Sequence, residues 1–348
     1  MRKLSFALVS ALVGISVALL IYPAITTPAS KAQVNVNAKP APTVTLTAGF
    51  HAYVSVNGSD SKLCTRDEPC RTFQVAVERV KTGGEVVALD SGEFGPVTIP
   101  KSVTLSAAGV HATVTQETAG ADAITLKTTQ SMTVIIRGLT ILGVGKAGQG
   151  ITLNNPHSSS ESEKPFSLSA LYVEDCVIAG FTVQGIVFAP GTLAQLFVKD
   201  SFIRECKYGL TIVAGMPQLQ AQVSIDHTRL EHNSDAGVLT SAGFSYTTIG
   251  NSVLSGNGMA VSTGGAPSEV NVDHCLIANN SYGIFNWGTT RVANSTITNN
   301  KTGVYLAPLA PQYPNGKLLS LTTGSGVLTN TVVGNDTNGS FSGTYAAK

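Results

Sequence analysis

From Val173 onward the chain repeats one pattern of apolar and polar positions. Two alternating apolar residues are followed by a turn residue, a small residue, any residue and a branched apolar residue. The copies are VEDCVI (Val173 to Ile178), VKDSFI (Val198 to Ile203), IDHTRL (Ile225 to Leu230), IGNSVL (Ile249 to Leu254), VDHCLI (Val272 to Ile277), VANSTI (Val292 to Ile297) and LTNTVV (Leu328 to Val333). Their last residues are spaced 25, 27, 24, 23, 20 and 36 apart, the length of one coil of a β-solenoid. Three positions further on stands Asn233, Asn257, Asn280 or Asn300, with Cys206 in the same column. A Gly followed by an apolar residue comes next, at Gly185, Gly209, Gly237, Gly283 and Gly303.

Stacked coils give each column a physical role. Period-2 alternation turns Val270, Val272, Cys275 and Ile277 inward, each coil covering its neighbour at about 4.8 Å. The small column Cys176, Ser201, Thr228, Ser252, Cys275, Ser295, Thr331 predicts a narrow corner, and the Asn column a second turn. There an amide tolerates left-handed backbone and bonds the next coil, while the Gly after it is expected to supply positive φ. Cys176 and Cys275 share a column four coils apart, about 19 Å, which is too far for a disulfide.

Ahead of the clear repeats, residues 71–81 place Phe73, Ala76, Val77 and Val80 on one helical face, and Gly83-Gly84 ends it. One amphipathic helix ahead of a solenoid predicts a cap over the open core. The strands Glu85 to Leu89 and Val97 to Ile99 are expected to begin the first coil, weaker coils follow through Val103 to Leu105, Ile124 to Leu126 and Val134 to Ile141, and a Ser-rich loop is expected around His157 to Lys164. Gly84-Glu85-Val86-Val87, Ser91-Gly92-Glu93-Phe94 and Val97-Thr98-Ile99, with the later D-C-x-I and N-x-x-x-G-I copies, resemble secreted proteins of the pectin lyase-like superfamily. The resemblance implies an all-β fold, a right-handed parallel β-helix, over roughly residues 50 to 340. Because that superfamily spans lyases, hydrolases, epimerases, tailspikes and adhesins, it implies no single activity.

Met1-Arg2-Lys3, an apolar stretch from Leu4 to Ile21 and Ser30-Lys31-Ala32 read as an export signal over 1–32, cleaved after Ala32. An uncleaved anchor is the alternative, since 18 apolar residues sit at the lower limit for a span. The domain layout expected is linker 33–50, β-helix 51–340 and tail 341–348. Export makes Cys64 and Cys70, six apart around Pro69, a disulfide loop rather than a metal site. Only 12% of residues are charged, against about 25% usually, with 22 basic and 21 acidic side chains. That balance excludes a nucleic-acid footprint and, once the signal is removed, a membrane partner. A monomer of exported location, in contact with extracellular polysaccharide, is the expectation.

The candidate chemistry is sparse. Asp226-His227 and Asp273-His274 resemble part of a pectate lyase motif, but Ser224 and Asn271 stand where that motif favours Trp, and its Arg-x-Pro-x-x-Arg element is missing. Polygalacturonase signatures are missing too. His227 and His274 fall in a turn column with Asp175, Asp200, Asn251 and Asn294, which favours a turn role. If a site exists, Lys199, Asp226, Arg229 and Asp273 are its catalytic candidates. Tyr172, Phe197, Arg204, Glu231, His227 and His274 are its substrate-binding candidates, with Phe202 and Trp287 as further sugar-stacking rings. No cofactor or resident metal is expected; a uronate lyase with a divergent site would need Ca2+. A binder or processor of extracellular polysaccharide therefore competes with a non-catalytic surface or adhesion protein and with such a lyase.

Overall fold

The computed structural model describes residues 49–127, 131–154, 168–214, 220–241, 243–265, 267–306, 317–318, 331–333, 335 and 337–339. The signal 1–32, nearly all of the 33–50 linker, the insertion around His157 to Lys164, Leu328 to Asn330 and the tail 341–348 lie outside them.

The strands join in rotation to three parallel sheets. Ala221–Asp226 lies in sheet 1, Arg229–Glu231 in sheet 2 and Ala236–Thr240 in sheet 3, and the chain re-enters sheet 1 at Ser245–Gly250. Each strand bonds to the strand one coil earlier and one coil later, so among the described residues sheet 1 holds 11 strands and the others 10 each. The result is a three-sided parallel β-helix. Alternation works as the repeat demands: Val223, Ile225, Leu230 and Val238 are buried, while Gln222 and Arg229 face out. The early coils are regular as well. The Val134 to Ile141 segment divides at Gly138 (φ 72°) into Met132–Arg137 in sheet 1 and Leu139–Gly143 in sheet 2.

Two corners of each coil use left-handed residues; the first falls on the expected turn column and the second lies one residue before the expected Asn position. Between sheets 1 and 2 these are Asp175, Asp200, His227, Asn251, His274 and Asn294, with φ of 47–52°. Between sheets 2 and 3 they are Glu205, His232, Asn279 and Asn299, one residue before the ladder position. The ladder Asn residues themselves are buried. Their side chains bond rung to rung, Asn233 Nδ2 donating to Asn257 Oδ1 (3.0 Å), Asn257 to Asn280 (3.1 Å), Asn280 to Asn300 (2.8 Å) and Asn300 to Asn335 (3.0 Å). Each Oδ1 also accepts a backbone N–H from the previous coil, as Asn280 does from Asn257 at 2.8 Å. The small column bonds similarly, with Cys176 N–H on Ser201 Oγ, Thr228 on Ser252 and Cys275 on Ser295.

The glycines after the ladder do not carry positive φ. A Cβ on Gly209 would lie 2.6 Å from the Gly237 carbonyl oxygen, and one on Gly283 2.4 Å from that of Gly303. Close approach between coils, rather than turn conformation, requires glycine there.

At the N-terminal end, helix α1 (Phe73–Arg79) is two residues shorter at each side than the 71–81 reading. Asp60 accepts from the Arg71 and Thr72 amides at 2.9 and 3.0 Å, and Thr72 stays extended as the N-cap, its Oγ1 accepting from Val75 N–H. Val80 is extended again, and the Lys101 ammonium donates to the Glu78 and Val80 carbonyls at 3.1 and 2.6 Å. Phe73, Ala76 and Val77 are buried against the first coil. The Cys64–Cys70 disulfide is present. Its loop runs along the outermost strand of sheet 1, His51–Val54: Tyr53 N–H donates to Cys64 O, Cys70 N–H to Tyr53 O and Ser55 N–H to Cys70 O, at 2.8–2.9 Å.

The core changes character along the axis. Early coils bury Phe73, Phe94, Leu105, Ile136, Ile141 and Phe188, whereas later coils place Thr240, Thr247, Thr263, Asn286 and Thr290 at inward positions. Thr263 and Thr290 share a 2.7 Å bond and Thr290 donates to Asn286 at 2.9 Å. The Thr247 hydroxyl is buried without a partner among the described residues.

Candidate functional site

Period-2 geometry sorts the candidates by face. Strand-by-strand register places Ile135, Tyr172, Phe197, Ser224, Thr248, Asn271 and Arg291 in one outward column of sheet 1. Tyr172 and Phe197 stack with centroids 4.7 Å apart and planes 10° from parallel, the spacing of adjacent rungs. Beside them the column Ala170, Gln195, Gln222, Tyr246, Glu269 carries one amide pair, in which Gln195 Nε2 donates to Gln222 Oε1 at 3.1 Å. On the other side runs a charged column: Arg137, Glu174, Lys199, Asp226, Gly250, Asp273.

The signs alternate along the first four members. Arg137 Nε donates to Glu174 at 2.9 Å, and Lys199 lies between Glu174 and Asp226 in register while its ammonium reaches Asp200 at 3.7 Å. Stacking charges every ~4.8 Å is unfavourable only when they are alike, so alternation removes the penalty.

Asp226 and Asp273, two coils apart and about 10 Å along the axis, are each held by an Asn and a His. Asn251 Nδ2 donates to Asp226 Oδ1 at 2.9 Å and the His227 ring nitrogen lies 2.9 Å from its other oxygen. Asn294 donates to Asp273 at 2.9 Å, with His274 at 3.0 Å. The Asn251 bond, aided by His227 and Lys199, holds the Asp226 carboxyl below the usual range. At Asp273 partial burial pushes upward, but Asn294 and His274 outweigh it and the carboxyl is again lowered. Both are therefore anions at neutral pH, suited to accepting hydrogen bonds rather than delivering a proton. His227 and His274, at φ 48° and 52°, form the corner and orient these carboxylates.

Arg204, Arg229 and Glu231 stand on sheet 2, around the corner from this face. Arg229 grips the buried Glu231 through Nε (2.8 Å) and Nη2 (2.7 Å). Arg204 pairs with Glu205. Both guanidinium groups lie 5.4 Å from the Phe202 ring, one on each neighbouring position. The structure thus gathers Tyr172, Phe197, Lys199, Asp226 and Asp273 on one face and sets the other three apart. It also assigns Arg229 and Glu231 to each other.

Sequence reading missed the largest aromatic cluster. Tyr282, Phe285, Trp287 and Tyr305 meet on the outside of sheet 3, with Phe285 and Tyr305 stacked at 4.9 Å and Phe285 5.9 Å from Trp287. The available signal was Tyr282-x-x-Phe285-x-Trp287, which skips between parities of one strand and its exit. Its connection to Tyr305 is visible only in the register.

No protein-family model and no curated protein matches this sequence. Solved structures do. Pectate lyase Pel9A superposes with a TM-score of 0.58 at 15% identity, covering 74% of each chain. The fold is the right-handed parallel β-helix of pectin lyase-like proteins. XylC, solved with xylose, matches with a TM-score of 0.47 at 12% identity over 73% of this chain and 69% of that one. The A-module of Azotobacter vinelandii mannuronan C-5 epimerase AlgE4 gives 0.33 at 14%, over 64% and 82%. At such identities the pectin lyase-like likeness is one of fold.

Proposed function

We propose that this is an exported protein that binds extracellular polysaccharide along the outer face of sheet 1. The observation that carries the reading is the stacked Tyr172–Phe197 pair lying between the Gln195–Gln222 amide pair and a column of alternating charge. Flat rings accept the C–H face of a sugar, amides and carboxylates bond its hydroxyls, and Lys199 suits an acidic sugar. A chain held along the coil axis would meet the rings of Tyr172 and Phe197 and then the polar side chains of Ser224, Thr248 and Asn271. A parallel β-helix fold shared with Pel9A, by name a pectate lyase, is in keeping with a polysaccharide partner. Export agrees with the Cys64–Cys70 disulfide, and among the described residues no helix is long and apolar enough to cross a membrane.

Binding is favoured over catalysis because the two carboxylates are each engaged by an Asn and a His and the sequence lacks the Arg-x-Pro-x-x-Arg element that carries a lyase base. The test is a glycan panel with Tyr172→Ala/Phe197→Ala and Asp226→Ala/Asp273→Ala variants, alongside an assay for uronate-polymer cleavage. Weakening of binding by about tenfold or more in the aromatic variant supports the reading, and unaltered binding in both variants overturns it. Cleavage that the Asp variant abolishes would replace binding with a lyase activity.

A further inference from the structure

A second site of opposite chemistry lies on sheet 3. The register sets Thr211, Leu239, Ser262, Phe285 and Tyr305 in one outward column. Between Leu239 and Phe285 the small Ser262 leaves a depression of about 400 Å3, inside the ~300–1,000 Å3 range of small-molecule sites. Trp287, 45% exposed, stands at its rim, and Met259 and Gly264 complete the walls. The rim exists because the turn from sheet 3 to sheet 1 shortens here, from Gly264–Ser268 in one coil to Trp287–Gly288 in the next.

We infer that this depression is a binding site for a neutral sugar ring, distinct from the sheet 1 face. Three observations commit it to that ligand. Among the described residues none lining it carries a charge, in contrast to the alternating column of sheet 1, and such a lining matches neither a uronate nor a cation. The rings of Phe285 and Trp287 offer flat apolar surface to a sugar's C–H face. Hydroxyls of Ser241 and Ser262 sit among them, and the Ser241 hydroxyl has no partner among the described residues. An apolar floor with a few hydroxyl groups complements a molecule that is apolar on its faces and hydroxylated at its edge.

The composition supplies its own probe, because Trp287 is the single tryptophan of the chain. Intrinsic fluorescence of the mature protein is to be titrated with neutral oligosaccharides (gluco-, manno- and xylo-oligomers), with oligouronides, and with phosphatidylcholine vesicles. A saturable emission change and protection from acrylamide quenching by a neutral oligomer, with affinity falling about tenfold in Phe285→Ala, is the expected result. Leu239→Arg, at an outward position, should abolish the response while leaving the circular dichroism spectrum intact. A response to oligouronides or vesicles alone, no response to any of them, or unchanged affinity in both variants overturns the inference. The Tyr172→Ala/Phe197→Ala variant separates this site from the sheet 1 reading: it should keep the Trp287 response whether or not sheet 1 binds a glycan.

Discussion

At the scale of single residues, the same side chain type does different work according to which corner it occupies. Asn280 accepts and donates across three coils, bonding Asn257, Asn300, Leu254 O and Ala278 O. Asn280→Ala takes the acceptor from the buried Asn257 backbone N–H and leaves the Asn257 side-chain amide only Leu230 O, and should cost on the order of 2–4 kcal/mol, read as a lowered melting temperature. Gly209→Ala should destabilise for a steric reason instead, its methyl meeting the Gly237 carbonyl. The lowered carboxyls of Asp226 and Asp273 bring a pH dependence. A carboxyl whose folded pKa lies below its unfolded value near 4 stabilises fully above that value and loses the contribution as pH falls through the folded pKa. Melting temperature should therefore drop less steeply below about pH 4 in Asp226→Asn/Asp273→Asn than in the parent. Equal slopes would show that the Asn and His contacts contribute nothing to stability. These columns were legible because each recurs at a fixed offset. The misreading of the glycines came from treating a turn residue and a contact residue as the same signal, which only the positions of neighbouring carbonyls separate.

At the scale of elements, the first strand of sheet 1 would be an open edge without the disulfide loop that bonds to Tyr53 and Ser55. Such edges recruit other chains. Cys64→Ser/Cys70→Ser should thus lower stability by about 2–4 kcal/mol and raise the dimer and aggregate fraction in light scattering. Loss of stability without any association would mean that the loop holds its place unaided. Arg79 ties α1 to the same loop, donating to Asp60 O at 2.7 Å and lying 3.5 Å from the Cys70 sulfur. The pairing of Cys64 with Cys70 was readable from their spacing, the loop's partner was not. The early strands were harder to read because Ala112–Gln116 and Gln149–Asn154 lack the Asn column, so alternation stood alone there.

At the scale of the whole molecule, a solenoid coil touches only its neighbours, so stability is local along the axis. Inward Thr247, Thr263, Asn286 and Thr290 make the later coils the weaker part, since buried hydroxyls repay less than methyl groups. Burial pushes the thiols of Cys176, Cys206 and Cys275 up to about 12, 11 and 11, which keeps them unreactive while folded. They form three reporters along the axis. In rising denaturant, Cys275 should be alkylated before Cys176, and simultaneous labelling would show a single cooperative unit instead. The outer face of sheet 1 was legible as a list of residues but not as a surface, because sign alternation and ring stacking are properties of register. The Asn ladder finally says something about ancestry. Every rung from Asn257 to Asn300 takes a backbone and a side-chain N–H from the rung before and gives the same two bonds to the rung after, so a coil there can be duplicated or lost without orphaning a neighbour. The column from Arg137 to Asp226 alternates in sign and offers no such freedom, since dropping one coil sets like charges side by side. The protein is thus free to change its length at one end and committed to it at the other.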